Sequence, residues 1–258
     1  MSQSEIRDYF ADKPREPLLL QYNQDKYTIN YAAIGNAEQP TVIFLHGAPG
    51  SWTAFISYFS DSTLLKEAYL IAADRPGNGR SEFGNPVIAL KEQARLLKPL
   101  LEKRPGPVVL VGHSLGGPVA ARLAMDYPEL VNGLILVAPS IDPALEPNED
   151  WWRIPLNTPF LSWLVPTSLY VANAEIYHLE KELKKMMPLW KNILTPVTII
   201  QGKEDSLVPP GNAEFAGKML VNAAEVEIVM LKNATHFIPW NRPESIKKAI
   251  LKHLDELN

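Results

Sequence analysis

The sequence predicts an α/β protein: a mostly parallel, twisted sheet with helices on both faces and a small helical cap inserted late in the chain. Three observations predict it. Short apolar runs alternate with helix-like segments along most of the length. One of those runs, ending at Val111, turns at once into a helix through a glycine-rich hexapeptide. Residues 142–191 break the rhythm, with many aromatic side chains and no strand-like run.

The elements follow in order. Residues 18–22 and 27–34 flank the polar turn Asn23-Gln24-Asp25-Lys26 and predict an antiparallel hairpin. Residues 42–45, 69–73 and 108–111 are continuous apolar runs, the pattern of strands buried on both faces of a parallel sheet. Helical segments are expected between them at 53–59 and 88–102, the second with Ile88, Leu90, Ala94, Leu97 and Leu101 at apolar positions. Residues 118–125, rich in Ala and Leu, form the helix after the hexapeptide. Residues 134–137, 197–200 and 226–231 continue the strand series, with helices at 212–220 and 243–257 after the last two. Such alternation implies right-handed crossovers and ligands at the carboxyl ends of the strands. Within 142–191 lie Trp151, Trp152, Phe160, Trp163, Tyr170, Tyr177 and Trp190, and Ile176, Leu179, Leu183 and Met187 make a helical apolar stripe. A linker lacks this many large apolar side chains. The segment is therefore expected to be a cap on a core formed by 1–141 and 192–258.

Composition narrows the function classes. The 258 residues are 46% hydrophobic and 21% charged, with a formal net charge of -4 that gives no footing for nucleic acid. Basic residues gather within 181–185 and 247–252, but with helical spacing and acidic neighbours, as on solvated helix faces. With no cysteine there is no disulfide, thiolate nucleophile or iron–sulfur cluster, and a zinc site would need His and carboxylates alone. Residues 1–17 lack the apolar core of a signal peptide, and no apolar run approaches the ~20 residues of a membrane span. A soluble cytoplasmic protein acting on a small molecule is expected, without metal or cofactor.

The chemistry starts at Gly112-His113-Ser114-Leu115-Gly116-Gly117. A strand that ends in G-x-S-x-G and enters a helix puts its serine on a sharp, exposed corner, near helix amides that favour negative charge. A serine hydroxyl needs a base to take its proton, and that base needs an orienting group. Of the five histidines, His236 follows the last predicted strand and opens at the same sheet edge as Ser114. His46 is read as shaping its own loop and His113 as structural. His178 and His253 are read as surface residues. For the orienting acid, Asp205 lies past the carboxyl end of residues 197–200. Glu204, which should project the other way, and Asp142, past residues 134–137, are the rivals. A tetrahedral oxyanion needs amide donors. Leu115, directly after the serine, offers one; in the loop His46-Gly47-Ala48-Pro49-Gly50-Ser51 the other falls to Ala48, because Pro49 has no N–H. The turn Asp74-Arg75-Pro76-Gly77-Asn78-Gly79-Arg80-Ser81 lacks the lysine of a phosphate loop and is read as scaffold, with Asp74 and Arg75 in an internal polar network.

These motifs, with Gly202-Lys203-Glu204-Asp205, Val208-Pro209 and Thr235-His236, resemble in kind and order the α/β-hydrolase superfamily, in its capped esterase- and lipase-like branch. The serine separates the chain from the epoxide hydrolase and haloalkane dehalogenase branches, which carry an aspartate there. Ala48 replaces the halide-binding asparagine of the dehalogenases, and the Gly-Gly-Pro-Gly loop of proline iminopeptidases is absent. The resemblance implies a serine hydrolase of carboxylic esters with Ser114 as nucleophile, His236 as base, Asp205 as orienting acid, and Ala48 and Leu115 as oxyanion hole. Trp151, Trp152, Trp163 and Phe237 are expected to bind substrate, favouring small apolar or aromatic acids or alcohols. The same triad also serves carbon–carbon bond hydrolysis, perhydrolysis or acyl transfer. A small-molecule receptor or pseudoenzyme on this fold is the reading from another class.

Overall fold

The computed structural model describes residues 1–147, 153–154 and 165–257. Eight strands form one sheet in the order β1-β2-β4-β3-β5-β6-β7-β8. They span Leu18–Gln24 (β1), Tyr27–Ile34 (β2), Thr41–Leu45 (β3), Tyr69–Ala73 (β4), Val108–His113 (β5), Gly133–Val137 (β6), Val197–Gly202 (β7) and Val226–Leu231 (β8). β1 pairs antiparallel with β2, and β2 with β4; every later pairing is parallel. β3, β4, β5, β6 and β7 are buried throughout, which is why they read as unbroken apolar runs. The edges differ: β1 is largely exposed and β8 mostly half-buried.

The chain leaves β3 toward β4 on one side and returns to β5 on the other. This change of direction opens a crevice outside the carboxyl ends of β3 and β5, the place where such sheets bind ligands. The loop after Leu45 and the turn after His113 meet there.

Among the described residues, six longer helices accompany the sheet: α1 (Gln3–Phe10), α2 (Leu90–Leu97), α3 (Gly116–Asp126), α4 (Thr167–Met186), α5 (Gly211–Met219) and α6 (Pro243–Asp255). α1 falls in the polar terminus, where no helix was expected. A capping box starts it, with the Ser2 hydroxyl on the Glu5 N–H and the Glu5 carboxylate returning to the Ser2 N–H, and Ile6 and Phe10 anchor it. Two expected helices are interrupted. Residues 53–59 make two short 3-10 turns, Trp52–Phe55 and Tyr58–Ser60, whose aromatics pack onto Phe44. The predicted helix 88–102 divides at Lys98, before Pro99, into α2 and the short helix Pro99–Glu102. The hairpin turn is tighter than expected, because Asn23 and Gln24 still pair across it.

α4 lies between β6 and β7 in sequence. Leu179, Leu183 and Met186 join the core cluster that holds Leu90, Ala94 and Leu97 of α2. Its Glu182 carboxylate accepts the Leu90 N–H at 3.3 Å, capping α2 where Ala89 has no side chain to do so. Four lysines of the basic stretches are paired: Lys184 with Glu180, Lys185 with Glu182, Lys247 with Asp61, and Lys252 with Glu225 and Glu227.

His253 corrects its surface reading. It is 3% exposed on α6, beside Ile246, Ala249, Ile250 and Leu254, and lies 3.0 Å from the Thr198 hydroxyl of β7. A Cβ at Gly133 would stand 2.7 Å from its ring, so the glycine leaves the imidazole its place against β6. Burial holds its pKa below the usual histidine range. His178 is half-buried on α4, with Nδ1 on the Ala174 carbonyl at 2.9 Å.

Candidate active site

Ser114 directly follows β5 with φ at +54°, a left-handed conformation that side chains avoid. Such a residue costs about 1–3 kcal/mol and persists only where its surroundings fix it. Here the Ser114 N–H extends the ladder to Val137 O at 2.9 Å, and its carbonyl accepts the Gly117 N–H at 2.9 Å. The flanking glycines are steric necessities. A Cβ at Gly112 would stand 2.4 Å from the Gly116 carbonyl, and one at Gly116 2.1 Å from the Leu45 carbonyl. α3 begins directly behind the serine.

β7 and β8 deliver the other two groups. His236 Nδ1 lies 2.8 Å from Asp205 Oδ2, and both residues are buried, at 7% and 5% exposure. The Asp205 Oδ1 accepts the Leu207 and Val208 N–H groups at 2.9 and 2.8 Å, while Oδ2 also accepts Gln201 Nε2 at 3.2 Å. A carboxylate so bonded is locked in rotamer and stays an acceptor for Nδ1–H, leaving Nε2 of the imidazole unprotonated. The rival acids stand elsewhere. Asp142 caps its own turn at the Ala144 N–H, 2.9 Å away, and Glu204 is exposed.

Ser114 and His236 line one cavity of about 810 Å³ with Gly47, Ala48 and Leu115. A Cβ at Gly47 would stand 2.9 Å from the Ser114 Cβ, so only glycine lets this loop approach the serine. His113 is buried: its Nε2–H donates to the His236 carbonyl at 3.1 Å and its ring centroid lies 4.9 Å from that of His236. Burial, then the neighbouring His236, push its pKa down to about 3, so it stays neutral and pins the His236 backbone. His46 accepts the Arg75 N–H at Nε2, 3.0 Å, so Nδ1 carries the proton and donates to the Gly47 carbonyl at 2.6 Å. Burial and the Arg75 charge hold His46 well below the usual range. Asp74 accepts the Trp52 and Arg80 N–H groups, each at 2.8 Å, and burial pushes its carboxyl up.

Phe237 stands at the cavity mouth, 51% exposed, with Trp240 beside it at 5.9 Å between ring centroids. Trp151, Trp152 and Trp163 lie outside the described residues. The sequence reading missed Trp240, Leu207 and the polar group Ser140, Glu146 and Arg153, all of which line the cavity. Glu146 bonds the Ser140 hydroxyl, and burial raises its pKa. No local pattern marked these residues; Trp240, three positions after Phe237, was the nearest to a signal. Among the described residues, no group of three or more His, Cys, Asp or Glu is placed to hold a metal. Nor, among them, is any helix long and apolar enough to cross a membrane.

The model of the alpha/beta hydrolase family matches residues 42–249. The chain belongs to that family. Like the relatives named for lipase and esterase activity, it is a hydrolase. It is 25% identical to the monoacylglycerol lipase abhd6-B of Xenopus laevis, over 90% of this chain and 80% of that protein. A pimeloyl-[acyl-carrier protein] methyl ester esterase of Yersinia enterocolitica is 34% identical, over 43% of this chain and 40% of its own. Among solved structures, E-2-(acetamidomethylene)succinate hydrolase superposes with a TM-score of 0.70 at 20% identity, covering 93% of this chain and 100% of that one. The epoxide hydrolase CorEH reaches 0.74 at 19% identity, covering 94% and 100%. At such identities the likeness shows the fold, and the chemistry is argued from the site's own residues.

Proposed function

We propose that the protein hydrolyses carboxylic esters through an acyl-enzyme on Ser114. The observation that carries this reading is the 2.8 Å His236–Asp205 bond, with His236 lining the same cavity as a serine held at positive φ. His236 Nε2 takes the Ser114 proton as the hydroxyl attacks the ester carbonyl. The resulting imidazolium is stabilised by the Asp205 carboxylate. Negative charge develops on the former carbonyl oxygen, where the Leu115 and Ala48 amides donate to it. Collapse expels the alcohol, protonated by His236. Water, activated by the same imidazole, then releases the acid and restores the serine.

Substrate choice is set by the cavity and its cover, which we assign to residues 142–191 as a cap. The described wall offers Leu145, Ile176, Leu179, Leu207, Phe237 and Trp240, so esters with apolar or aromatic groups fit best. Each buried CH₂ is worth about 0.8 kcal/mol, or roughly fourfold in kcat/KM, where the chain contacts this wall. The test is a fluorophosphonate probe with intact-mass detection, run beside p-nitrophenyl esters of graded acyl length. One adduct is expected on the wild type and none on Ser114→Ala or His236→Ala, with hydrolysis lost in both variants. A folded wild type that neither labels nor hydrolyses any ester refutes the reading and favours a binding protein.

A further inference from the structure

Arg75 follows β4, and its guanidinium is fully buried. Nε donates to the His46 carbonyl at 2.8 Å, and Nη2 to the Gly47 carbonyl at 3.2 Å and to Glu175 Oε2 at 3.0 Å. Nη1 donates to Glu175 Oε1 at 2.7 Å and to Gln93 Oε1 at 2.8 Å. All five N–H groups of the fork are therefore used. The partners come from three places: the loop after β3, helix α2, and Glu175 on α4, 100 positions away in sequence. The internal network expected around Arg75 is present, and one of its bonds falls on a particular peptide.

The Gly47 carbonyl and the Ala48 N–H belong to the same peptide unit. That unit is planar, and in the trans form its C=O and N–H point in opposite directions. Two donors, Arg75 Nη2 and His46 Nδ1, hold the carbonyl on the core side. The N–H is thereby aimed to the other side, toward the cavity that Ala48 lines. Hydrogen bonds accepted by a carbonyl also polarise its peptide and strengthen the N–H as donor. We propose that Arg75, held by Glu175 of α4, is a positioning residue that aims and polarises the Ala48 amide toward the oxyanion. The inference rests on the acyl-enzyme reading above. It also links oxyanion stabilisation to the docking of α4 on the core.

The test uses the full chain and an aryl trifluoromethyl ketone, which adds to an activated serine as a hemiketal whose oxygen occupies the oxyanion position. ¹⁹F NMR gives the pKa of that hemiketal in the wild type and in Arg75→Lys, which keeps a charge but loses the fork. The variant is expected to raise the hemiketal pKa by about one unit, which is a tenfold loss of oxyanion stabilisation. It should also lower kcat by about tenfold with KM little changed, short of the 10²–10³ seen when an oxyanion donor is removed outright. A folded variant with an unaltered hemiketal pKa overturns the inference, whatever its melting temperature. If Arg75→Lys does not fold, ¹⁵N spectra of the wild type decide. On adduct formation the Ala48 amide and Arg75 Nη2 signals should shift together, because Nη2 donates to the Gly47 carbonyl of that peptide; a shifted Ala48 with an unmoved Nη2 overturns the proposal. A wild type that forms no hemiketal and takes no fluorophosphonate defeats the acyl-enzyme reading itself. Normal labelling with an unaltered variant defeats the inference alone.

Discussion

Replacing Asp205 by asparagine isolates the role of one oxygen. The Oδ1 position faces two backbone donors, Leu207 N–H at 2.9 Å and Val208 N–H at 2.8 Å, and must remain an oxygen. The amide nitrogen of the substituted side chain is therefore driven to the Oδ2 position, against His236 Nδ1 and the Gln201 amide. A donor now faces Nδ1, so the ring keeps its lone pair there and carries its proton on Nε2. In that tautomer it has no lone pair to take the Ser114 proton, and the lost carboxylate no longer stabilises an imidazolium. The corresponding change in a serine protease lowers kcat about 10⁴-fold, or about 5 kcal/mol at 1.36 kcal/mol per decade. We expect a loss of that order for ester hydrolysis, with near-wild-type circular dichroism because shape and backbone bonds are retained. Asp142→Asn should change kcat less than about threefold, since that half-buried carboxylate caps only its own turn. Steady-state kinetics on one activated ester suffices. An Asp205→Asn enzyme within tenfold of wild type, or a larger loss in Asp142→Asn, refutes the assignment.

Other perturbations probe the framework. Glu175→Leu strands the buried Arg75 guanidinium and should cost about 3–5 kcal/mol in denaturant unfolding; Arg75→Met with Glu175→Leu should recover much of it, since a buried pair is often replaceable by apolar residues. Gly116→Ala places a Cβ 2.1 Å from the Leu45 carbonyl, a backbone atom with no room to yield, so expression of folded protein should fall sharply, as solubility and unfolding curves would register. His113 gives a pH signature. Its folded pKa of about 3 lies below the unfolded value near 6.5, so in that window the unfolded state binds the extra proton and stability falls with pH. From pH 6.5 to 5 this one group removes about 1.6 kcal/mol, and urea melts of His113→Gln should lack that share of the acid sensitivity.

What the sequence determined by itself was local in origin. Strands buried on both faces have no polar side to show, so β3, β4, β5 and β6 stand out as apolar runs to within two residues of their ends. The serine's corner is written in adjacent residues, because Gly112 answers a clash with the Gly116 carbonyl only four positions on, although Gly116 itself makes room for the Leu45 carbonyl of β3. His236 and Asp205 were legible as residues just past strand ends, and the parallel sheet brings all strand ends of one sense to a single edge. Helix boundaries were less legible where packing overrides pattern, as in the aromatic 3-10 turns at 52–60 and the break at Lys98. Only tertiary structure decided which carboxylate reaches the imidazole. Asp205 and Asp142 both follow strands, and the choice depends on where each loop's own N–H groups turn the side chain. It also decided that His253 is buried, that Trp240 reaches the cavity mouth, and that Arg75 finds Glu175. Nothing within a few positions of Arg75 marks its partner, because a buried charge is compensated in space, by whichever element the fold brings within about 3 Å.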